Sequence, residues 1–297
     1  AKEIRVNGIL YHYWDKGSGP PLLMLHGFGG SAYDWHSYID TFADAGYRVI
    51  VPDLPGSGYS DRPEDLDYSI PGLMKCILEF TEALNLPPFH LMGSSFGGGI
   101  ALRIAVNHPQ KVSRMILFDA AAIAQKIPVH VRVLRWPIVN KLATRIPPRT
   151  FIVGRLMKDI YFDHSKINRE AIKEYAYEQS FPGGDHAMEK IDQALDMEEI
   201  RSFSERFGEI TLPTLIFWGK EDTITFFEGG KELHSRIPGS LFRPFANCGH
   251  CPQIEYPEET VKEIHNEVRY TYDKNSKKKT KIIEEKKQFI EEKKQFI

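Results

Sequence analysis

Short apolar runs alternate with helix-length segments along most of this chain, and this alternation limits the folds open to it. The first three runs, Leu22–Leu25, Arg48–Val51 and Phe89–Met92, are each bounded by Gly or Pro and are short enough for buried strands. The alternation predicts an α/β fold, in which a mainly parallel sheet carries helices on both faces. Ahead of the runs, residues 4–14 alternate around Asn7-Gly8, which predicts a β-hairpin. The runs are Leu22–Leu25, Arg48–Val51, Phe89–Met92, Met115–Phe118, Thr214–Trp218 and Leu241–Phe245.

The strand rhythm stops between about Ala120 and Ile210, where helical periodicity and several prolines replace it. A chain of 297 residues is longer than one core usually supports, which favours one large domain with an insertion, or two domains. We therefore predict a discontinuous core of residues 1–119 and 211–270, interrupted by a helical cap of residues 120–210. Most aromatic residues of the cap are expected in its own core, and a few are expected to line an apolar pocket. They are Trp136, Phe151, Tyr161, Phe162, Tyr175, Tyr177, Phe181, Phe203 and Phe207.

Composition excludes several classes of partner. Lys and Arg total 38 while Asp and Glu total 40, so the net charge of −2 gives no electrostatic reason to expect nucleic acid. Three cysteines are too few for a disulfide framework, and no apolar run is long enough to span a bilayer. We therefore expect a cytoplasmic protein, with a removed leader as an open alternative because the chain starts at Ala1. The sequence does not indicate an oligomeric state.

The last residues of the sequence form a charged tail. The stretch Arg269–Ile297 holds 10 basic and 5 acidic residues, which leaves 28 basic and 35 acidic residues in the rest. A seven-residue unit occurs twice, as Glu284–Ile290 and Glu291–Ile297, and is too polar to bury much surface. We expect residues 271–297 to be a solvated low-complexity extension that is dispensable for folding. A helix that binds a partner is the alternative interpretation.

The strongest chemical signal is Gly93-Ser-Ser-Phe-Gly97, which matches the pattern G-x-S-x-G. It follows an apolar run that ends at Met92 and opens a helical pattern, which is the strand–turn–helix setting that the motif requires. The register selects Ser95 as the nucleophile, since a pattern centred on Ser94 would need glycines at Met92 and Phe96. The alternative is a glycine-rich turn with a helix-capping serine.

A nucleophilic serine needs a base, and a histidine in a loop after a late strand would supply it. His250 follows the last apolar run and precedes a final predicted helix. The acid that orients this histidine should lie between Ser95 and His250, and Asp222 follows the run before the last. Two rivals for the acid stay open at this point, Glu221 beside it and Asp119 at the end of the preceding run.

An oxyanion requires two backbone N–H donors. One would come from Phe96, which follows the nucleophile at the start of a helix where the helix dipole also helps. The other would come from the loop His26-Gly-Phe-Gly-Gly30, with the N–H of Phe28 as the candidate. We expect His26 to hold this loop by hydrogen bonds and to take no part in proton transfer.

Five segments in this order resemble the α/β-hydrolase superfamily, and the resemblance runs from about Val6 to Val268. It implies a mainly parallel eight-stranded sheet flanked by helices, with an inserted helical cap and a serine triad of Ser95, Asp222 and His250. The segments are His26-Gly-Phe-Gly29, Asp53-Leu-Pro-Gly-Ser-Gly-Tyr-Ser60, Gly93-Ser-Ser-Phe-Gly97, Gly219-Lys-Glu-Asp222 and Gly249-His250.

The implied activity is hydrolysis of small to medium apolar carboxylic esters through an acyl-enzyme. The turn that carries Ser95, Gly93-Ser-Ser-Phe-Gly-Gly98, is called the elbow below. It is also similar to the elbow of the carbon–carbon bond hydrolases that act on meta-cleavage products of aromatic degradation. Such an enzyme would need a cationic cap residue for the carboxylate of its substrate. A non-catalytic ligand-binding protein is the third alternative. The arginines available in the predicted cap are Arg132, Arg135, Arg145, Arg149 and Arg155.

Two further sequence patterns resemble metal, redox or dinucleotide sites. Cys248-Gly-His-Cys251 is a C-x-x-C, but it lacks both a thioredoxin-like setting and further ligands at zinc spacing. The run Gly97-Gly-Gly99 is not the G-x-G-x-x-G of dinucleotide sites. We therefore expect neither a metal nor a cofactor, and a small-molecule ester as the partner.

Overall fold

A computed structural model describes residues 1–124 and 148–267 of the chain and places eight strands in one sheet. The strands are β1 (Lys2–Val6), β2 (Ile9–Lys16), β3 (Pro21–Leu25), β4 (Arg48–Pro52), β5 (Phe89–Ser94), β6 (Val112–Phe118), β7 (Thr214–Gly219) and β8 (Leu241–Phe245). Their order across the sheet is β1-β2-β4-β3-β5-β6-β7-β8. The β1–β2 and β2–β4 pairs are antiparallel, and every other neighbouring pair is parallel. The predicted fold class is therefore confirmed.

The N-terminal hairpin has the turn that its sequence predicts. Asn7 and Gly8 both have positive φ, 48° and 88°, as a two-residue type I′ turn requires. All five residues of β3 are buried, because helices cover both faces of the parallel part of the sheet. At the centre of the sheet, the rings of Phe118 and Phe217 stack with their centroids 4.9 Å apart.

Helices connect the strands and cover the sheet. The first helical segment begins as the short 3₁₀ turn Ala32–Trp35 and continues as an α-helix. Ser69 caps the second helix by accepting a hydrogen bond from the N–H of Gly72. The helices are α1 (His36–Asp44), α2 (Ile70–Ala83), α3 (Ser95–Asn107), α4 (Arg149–Ile160), α5 (Arg169–Glu178), α6 (Gly184–Gln193), α7 (Met197–Ser204), α8 (Phe227–Arg236) and α9 (Pro252–Glu255).

Helices α4 to α7 lie between β6 and β7 in the chain, in the segment predicted to be a helical cap. Helices α4 and α5 share a small core that includes Val153, Met157 and Tyr175. The expectation that most cap aromatics are core was wrong for three of them. These are Phe151, Phe162 and Tyr177, which are 68%, 48% and 57% exposed. Phe151 and Tyr177 lie on exposed sides of helices, which helical spacing alone did not reveal, and Phe162 follows the end of α4. The division into core and cap stays a prediction.

The chain divides into two compact units, Ala1–Pro257 and Glu258–Ile297. The first unit holds the whole sheet and helices α1 to α9. In the second unit, residues 258–267 are helical. The predicted tail of residues 271–297 and the cap residues Trp136, Arg132, Arg135 and Arg145 lie outside the described residues. Within the described ranges, none of the helices has both the length and the apolar character needed to cross a bilayer.

Candidate active site

Ser95 lies at the junction of β5 and α3, where the chain turns sharply. Its φ is 49°, in the left-handed region that residues other than glycine rarely adopt. A Cβ atom on Gly93 would lie 2.6 Å from the carbonyl oxygen of Gly97, and one on Gly97 would collide with the carbonyl oxygens of Leu25 and His26. Both glycines of the motif are therefore required by the close approach of backbone.

His250 and Asp222 form a buried hydrogen-bonded pair. The Nδ1 atom of His250 lies 2.8 Å from Oδ2 of Asp222, and the two residues are 6% and 5% exposed. Asp222 also accepts hydrogen bonds from the N–H of Ile224 at 2.7 Å and the hydroxyl of Thr225 at 2.6 Å. Burial alone would raise the pKa of Asp222, but the charge and hydrogen bond of His250, with hydrogen bonds from Thr225 and Asp119, lower it to about 2. Asp222 is therefore ionised at neutral pH.

The two rival acids have other contacts. Oε2 of Glu221 accepts a hydrogen bond from the N–H of Cys248 at 3.0 Å. Oδ1 of Asp119 accepts one from the N–H of Gly219 at 3.0 Å. Among these three acids, the direct hydrogen bond to His250 is formed by Asp222.

One group of three side chains in the described part of the chain has the proximity of a metal site. Potential ligand atoms of Asp119, Asp222 and His250 all lie within 4.8 Å of one another. His250 and Thr225 both hydrogen-bond Oδ2 of Asp222, so the pair is already satisfied without an ion. We interpret the group as a hydrogen-bonded cluster.

The loop after β3 approaches the candidate nucleophile. A Cβ atom on Gly27 would lie 3.2 Å from Cβ and 3.8 Å from Oγ of Ser95. Phe28 follows in this loop and is 43% exposed, whereas Phe96 is buried in the first turn of α3. The N–H groups of a first turn have no partner within their own helix, so that of Phe96 is available to a ligand by position. The roles of Phe28 and Phe96 as oxyanion donors stay predictions.

His26 holds this loop in place, as the sequence suggested. Its Nε2 atom accepts a hydrogen bond from the N–H of Leu54 at 3.0 Å, which leaves Nδ1 to donate to the carbonyl oxygen of Gly27 at 2.8 Å. The ring is fully buried. Asp53 ties the far end of the loop by accepting from the N–H of Ala32 at 2.7 Å.

Sequence reasoning missed the residues that hold the histidine loop. Oε1 of Glu255 accepts a hydrogen bond from the N–H of Gly249 at 2.7 Å, and Oε2 accepts one from the N–H of Asp163 at 2.9 Å. The N–H of His250 donates to the carbonyl oxygen of Ile160 at 2.7 Å. The only sequence signal was an acidic residue five positions after His250 in a short helix that is largely buried.

A second residue after the histidine contacts the elbow. The amide nitrogen of Gln253 donates to Oγ of Ser94 at 3.0 Å, and both residues are buried. Ser94 thus has a structural contact of its own, which agrees with the choice of Ser95 as the nucleophile.

A narrow cleft lies beside the loop after β3, where helix α5 approaches it. The hydroxyl of Tyr175 donates to Oδ1 of Asp34 at 2.5 Å, and the amide of Gln179 donates to the carbonyl oxygen of Gly29 at 3.3 Å. Burial, followed by the charge of Asp53, raises the pKa of Glu178 to about 8. The cleft encloses about 280 Å³ of empty space, its open mouth included. It is lined by Gly29, Gly30, Gly56, Ser57, Gly58, Arg62, Glu178, Gln179, Gly184 and Met188.

Two of the cap arginines proposed as carboxylate receptors are engaged elsewhere. Arg149 forms a bidentate ion pair with Asp185, with N···O distances of 2.9 and 2.8 Å. Arg155 pairs with Asp159 at 3.4 Å on the surface of α4.

Comparison with known proteins agrees with this architecture. The sequence model of the alpha/beta hydrolase fold matches residues 20–257. The 2-hydroxymuconate semialdehyde hydrolase of Pseudomonas sp. strain CF600 is 31% identical over 264 residues, which cover 86% of this chain and 89% of that protein.

Solved structures agree as well. A meta-cleavage product hydrolase from Pseudomonas fluorescens IP01 superposes with a TM-score of 0.79 at 27% identity, covering 90% of this chain and 98% of that one. An esterase from Exiguobacterium antarcticum superposes with a TM-score of 0.76 at 26% identity, covering 90% and 98%.

Proposed function

The chain belongs to the α/β-hydrolase family, and we propose that it hydrolyses apolar carboxylic esters through an acyl-enzyme on Ser95. Oγ of Ser95 attacks the ester carbonyl while His250 takes its proton. The C–O bond then breaks, and His250 returns the proton to the leaving alcohol. Water, deprotonated by the same histidine, hydrolyses the acyl-enzyme and restores the serine. The N–H groups of Phe28 and Phe96 hold the oxyanion in both steps.

The observation that carries this proposal is the buried contact between Nδ1 of His250 and Oδ2 of Asp222, at 2.8 Å. An ionised Asp222 accepts a hydrogen bond from Nδ1–H of His250, so the neutral imidazole keeps a free lone pair on Nε2. That nitrogen is the one required to take a proton from a serine. The strained φ of Ser95 supports the same interpretation, because such strain is concentrated at functional sites.

Ester hydrolysis is preferred to carbon–carbon bond hydrolysis because of the charges in the predicted cap. Several relatives are named hydrolases of 2-hydroxy-6-oxo dienoates, which are substrates that carry a carboxylate. Burying a carboxylate requires a cationic or hydrogen-bonding partner. Arg149 and Arg155, the described candidates for that partner, are already paired with aspartates. An uncharged ester needs no such residue.

The second candidate is carbon–carbon bond hydrolysis of a meta-cleavage product. It is favoured by the relatives, since the hydrolase of Pseudomonas sp. strain CF600 and the solved structure from Pseudomonas fluorescens IP01 are both named for such products. The same serine, histidine and aspartate would serve this reaction.

Direct competition between the two substrate classes tests the choice. We expect p-nitrophenyl esters of short and medium acids to give a higher kcat/KM than a 2-hydroxy-6-oxo dienoate, with both activities absent in Ser95→Ala. Faster turnover of the dienoate would make the second candidate the correct one.

A fluorophosphonate probe separates catalysis from ligand binding without knowledge of the substrate. We expect one adduct, on Ser95, and no adduct in Ser95→Ala. A folded wild-type protein that takes up no probe would support a non-catalytic binding protein.

A further inference from the structure

Asp119 follows β6 and is fully buried beside the proposed triad. Its φ of 42° lies in the left-handed region, so its position is imposed by the surrounding structure. Oδ1 accepts a hydrogen bond from the N–H of Gly219 at 3.0 Å. No described residue donates a hydrogen bond to Oδ2, although this oxygen is buried. A carboxylate in this position would leave a charged oxygen unsatisfied.

Carboxyl oxygens of Asp119 and Asp222 lie within 4.8 Å of each other, and both residues are buried. Two buried carboxylates at this separation repel each other strongly, so one of them must keep a proton. His250, the N–H of Ile224 and the hydroxyl of Thr225 all favour the ionised form of Asp222. The proton therefore belongs on Asp119. Burial, followed by the charge of Asp222, raises the pKa of Asp119 well above its ordinary value.

The other titratable groups near Asp119 act in the same direction. Glu255 adds a negative charge that also raises the pKa of Asp119. The thiol of Cys248 has its own pKa raised by burial and by Asp119, so it is neutral. His250 can bring a positive charge to this cluster, and its Nδ1 lies 2.8 Å from Oδ2 of Asp222.

We propose that Asp119 stays protonated and donates a hydrogen bond from Oδ2 to Asp222, as a positioning residue for the acid of the triad. The inference rests on the proposed function for its role, and on the contacts above for its protonation. The proton remains on Asp119 throughout, so no bond to it forms or breaks during turnover. The donated bond fixes the carboxylate of Asp222 and disperses part of its charge, which limits how strongly Asp222 attracts a proton to His250.

The turn that contains Asp119 also contacts the nucleophile. The hydroxyl of Thr225 lies 3.1 Å from the carbonyl oxygen of Asp119 and 2.6 Å from Oδ2 of Asp222. Two residues along, the N–H of Ala121 donates to the carbonyl oxygen of Ser95 at 2.8 Å. A substitution of the Asp119 side chain therefore affects Asp222, whereas the backbone of the same turn holds Ser95.

The test compares Asp119→Ala with Asp119→Asn. Asparagine can accept from Gly219 and donate to Asp222, as the protonated acid does, whereas alanine can do neither. We expect kcat for a p-nitrophenyl ester to fall by roughly tenfold in the alanine variant, and asparagine to rescue most of that loss.

The pH profile of kcat/KM distinguishes this role from a merely structural one. We expect the acidic limb to stay in place in Asp119→Asn, because no charge has been removed. It should move to higher pH in Asp119→Ala, because Asp222 without its donor binds the histidine proton more strongly. A limb that moves to lower pH by about one unit in Asp119→Asn would show that Asp119 is ionised, and would overturn the proposal.

A spectroscopic readout keeps this test separate from the ester assignment. The infrared difference spectrum of wild type minus Asp119→Asn at neutral pH should contain the C=O stretch of a protonated carboxyl group, and so should that of Ser95→Ala minus the Ser95→Ala, Asp119→Asn double variant. The band of protonated Glu178 is common to both members of each pair and cancels. This result needs no turnover, so it stands even if the substrate class is wrong. Absence of this band from the wild-type minus Asp119→Asn spectrum would contradict the assignment. If Asp119→Ala does not fold, the pH profile of Asp119→Asn and the infrared spectra still test the proposal.

Discussion

The backbone nitrogen of His250 donates a hydrogen bond to the carbonyl oxygen of Ile160, over a distance of 2.7 Å. Ile160 is the last residue of α4, in the predicted cap, whereas His250 follows the last strand of the sheet. A Cβ atom on the preceding Gly249 would collide with the same carbonyl oxygen. The proposed base is therefore held against the cap by its backbone and against Asp222 by its ring.

The first prediction concerns the nucleophile. Ser95→Ala should lower ester turnover by roughly 10⁴-fold or more while leaving the melting temperature near that of wild type, because the reaction loses its attacking atom. Ser94→Ala is the matched control, since Ser94 contacts Gln253 and lies one residue away. Initial rates with p-nitrophenyl butyrate measure both. Loss of activity in Ser94→Ala with retention in Ser95→Ala would assign the role of nucleophile to Ser94.

The second prediction concerns the acid. Asp222→Asn should lower kcat by roughly 10³ to 10⁴-fold, because an amide that donates to Nδ1 favours the wrong tautomer of His250. Glu221→Gln should stay within a few-fold of wild type, since its amide oxygen can still accept from the N–H of Cys248. Steady-state kinetics at neutral pH measure kcat for both variants. A larger loss in Glu221→Gln than in Asp222→Asn would assign the role to Glu221.

The third prediction concerns the carboxylate that clamps the histidine loop. Glu255→Ala leaves the N–H groups of Gly249 and Asp163 without their acceptor, at about 1–3 kcal/mol each. We expect a lower melting temperature and a lower kcat, because the loop that carries His250 loosens. Glu228→Ala is the control, since Glu228 is exposed and its ion pair with Lys231 contributes little. Equal effects of the two substitutions on kcat would disprove the clamp.

The fourth prediction concerns the dependence of stability on pH. The pKa of Glu178 is raised to about 8 from an ordinary value of 4.5, so between these pH values the folded state binds more protons than the unfolded state. The contribution of Glu178 to the free energy of unfolding is therefore greatest below pH 4.5, and it is lost as the pH rises through 8.

Glu178→Gln provides the measurement for this effect. It removes the titrating group, and each unit of pKa shift corresponds to about 1.4 kcal/mol. We expect it to melt several degrees above wild type at pH 8 and near wild type at pH 5. A constant difference between the two proteins at both pH values would exclude Glu178 as the cause.

The fifth prediction concerns the elbow glycines. A Cβ atom on Gly93 would lie 2.8 Å from Cα of Gly98, in addition to its contact with Gly97, and backbone cannot move aside easily. Gly93→Ala should therefore destabilise the fold by about 1–3 kcal/mol or prevent it from forming. The control is Gly208→Ala, because the nearest atom to its added Cβ is 4.0 Å away. Thermal unfolding of the two variants should differ clearly, and similar curves would show that the elbow can relax.

The sheet was largely predictable because strand signals are local. Each predicted run lies within an observed strand, and the Asn7-Gly8 hairpin has the expected turn. The first three parallel strands contain short apolar runs between glycine or proline residues, so their positions follow from the sequence alone. The surface of the cap was less predictable. Phe151 and Tyr177 have helical spacing but face solvent, because spacing identifies a face without showing what covers it.

The proximity of His250 and Asp222 could be predicted from the sequence, but the contacts around the pair could not, and the catalytic roles stay predictions. Ser95, Asp222 and His250 follow from motif, order and position after strands. Glu255 and the carbonyl oxygen of Ile160 hold the histidine loop through contacts that join distant parts of the sequence. Asp119 was a rival to Asp222 in the sequence, and the structure places both carboxyl groups in one cluster. No local sequence pattern distinguishes an acid that would orient a histidine from a neighbouring acid that would hydrogen-bond to it.

The elbow also links activity to the assembly of the protein. The backbone around Ser95 is held by the carbonyl oxygens of Leu25 and His26 against Gly97, and by the N–H of Ala121. These atoms come from the ends of three strands that are far apart in the sequence, so the left-handed serine cannot form before the centre of the sheet has closed. Recovery of probe labelling during refolding should therefore report the late joining of β3, β5 and β6, and collapsed intermediates should remain unlabelled.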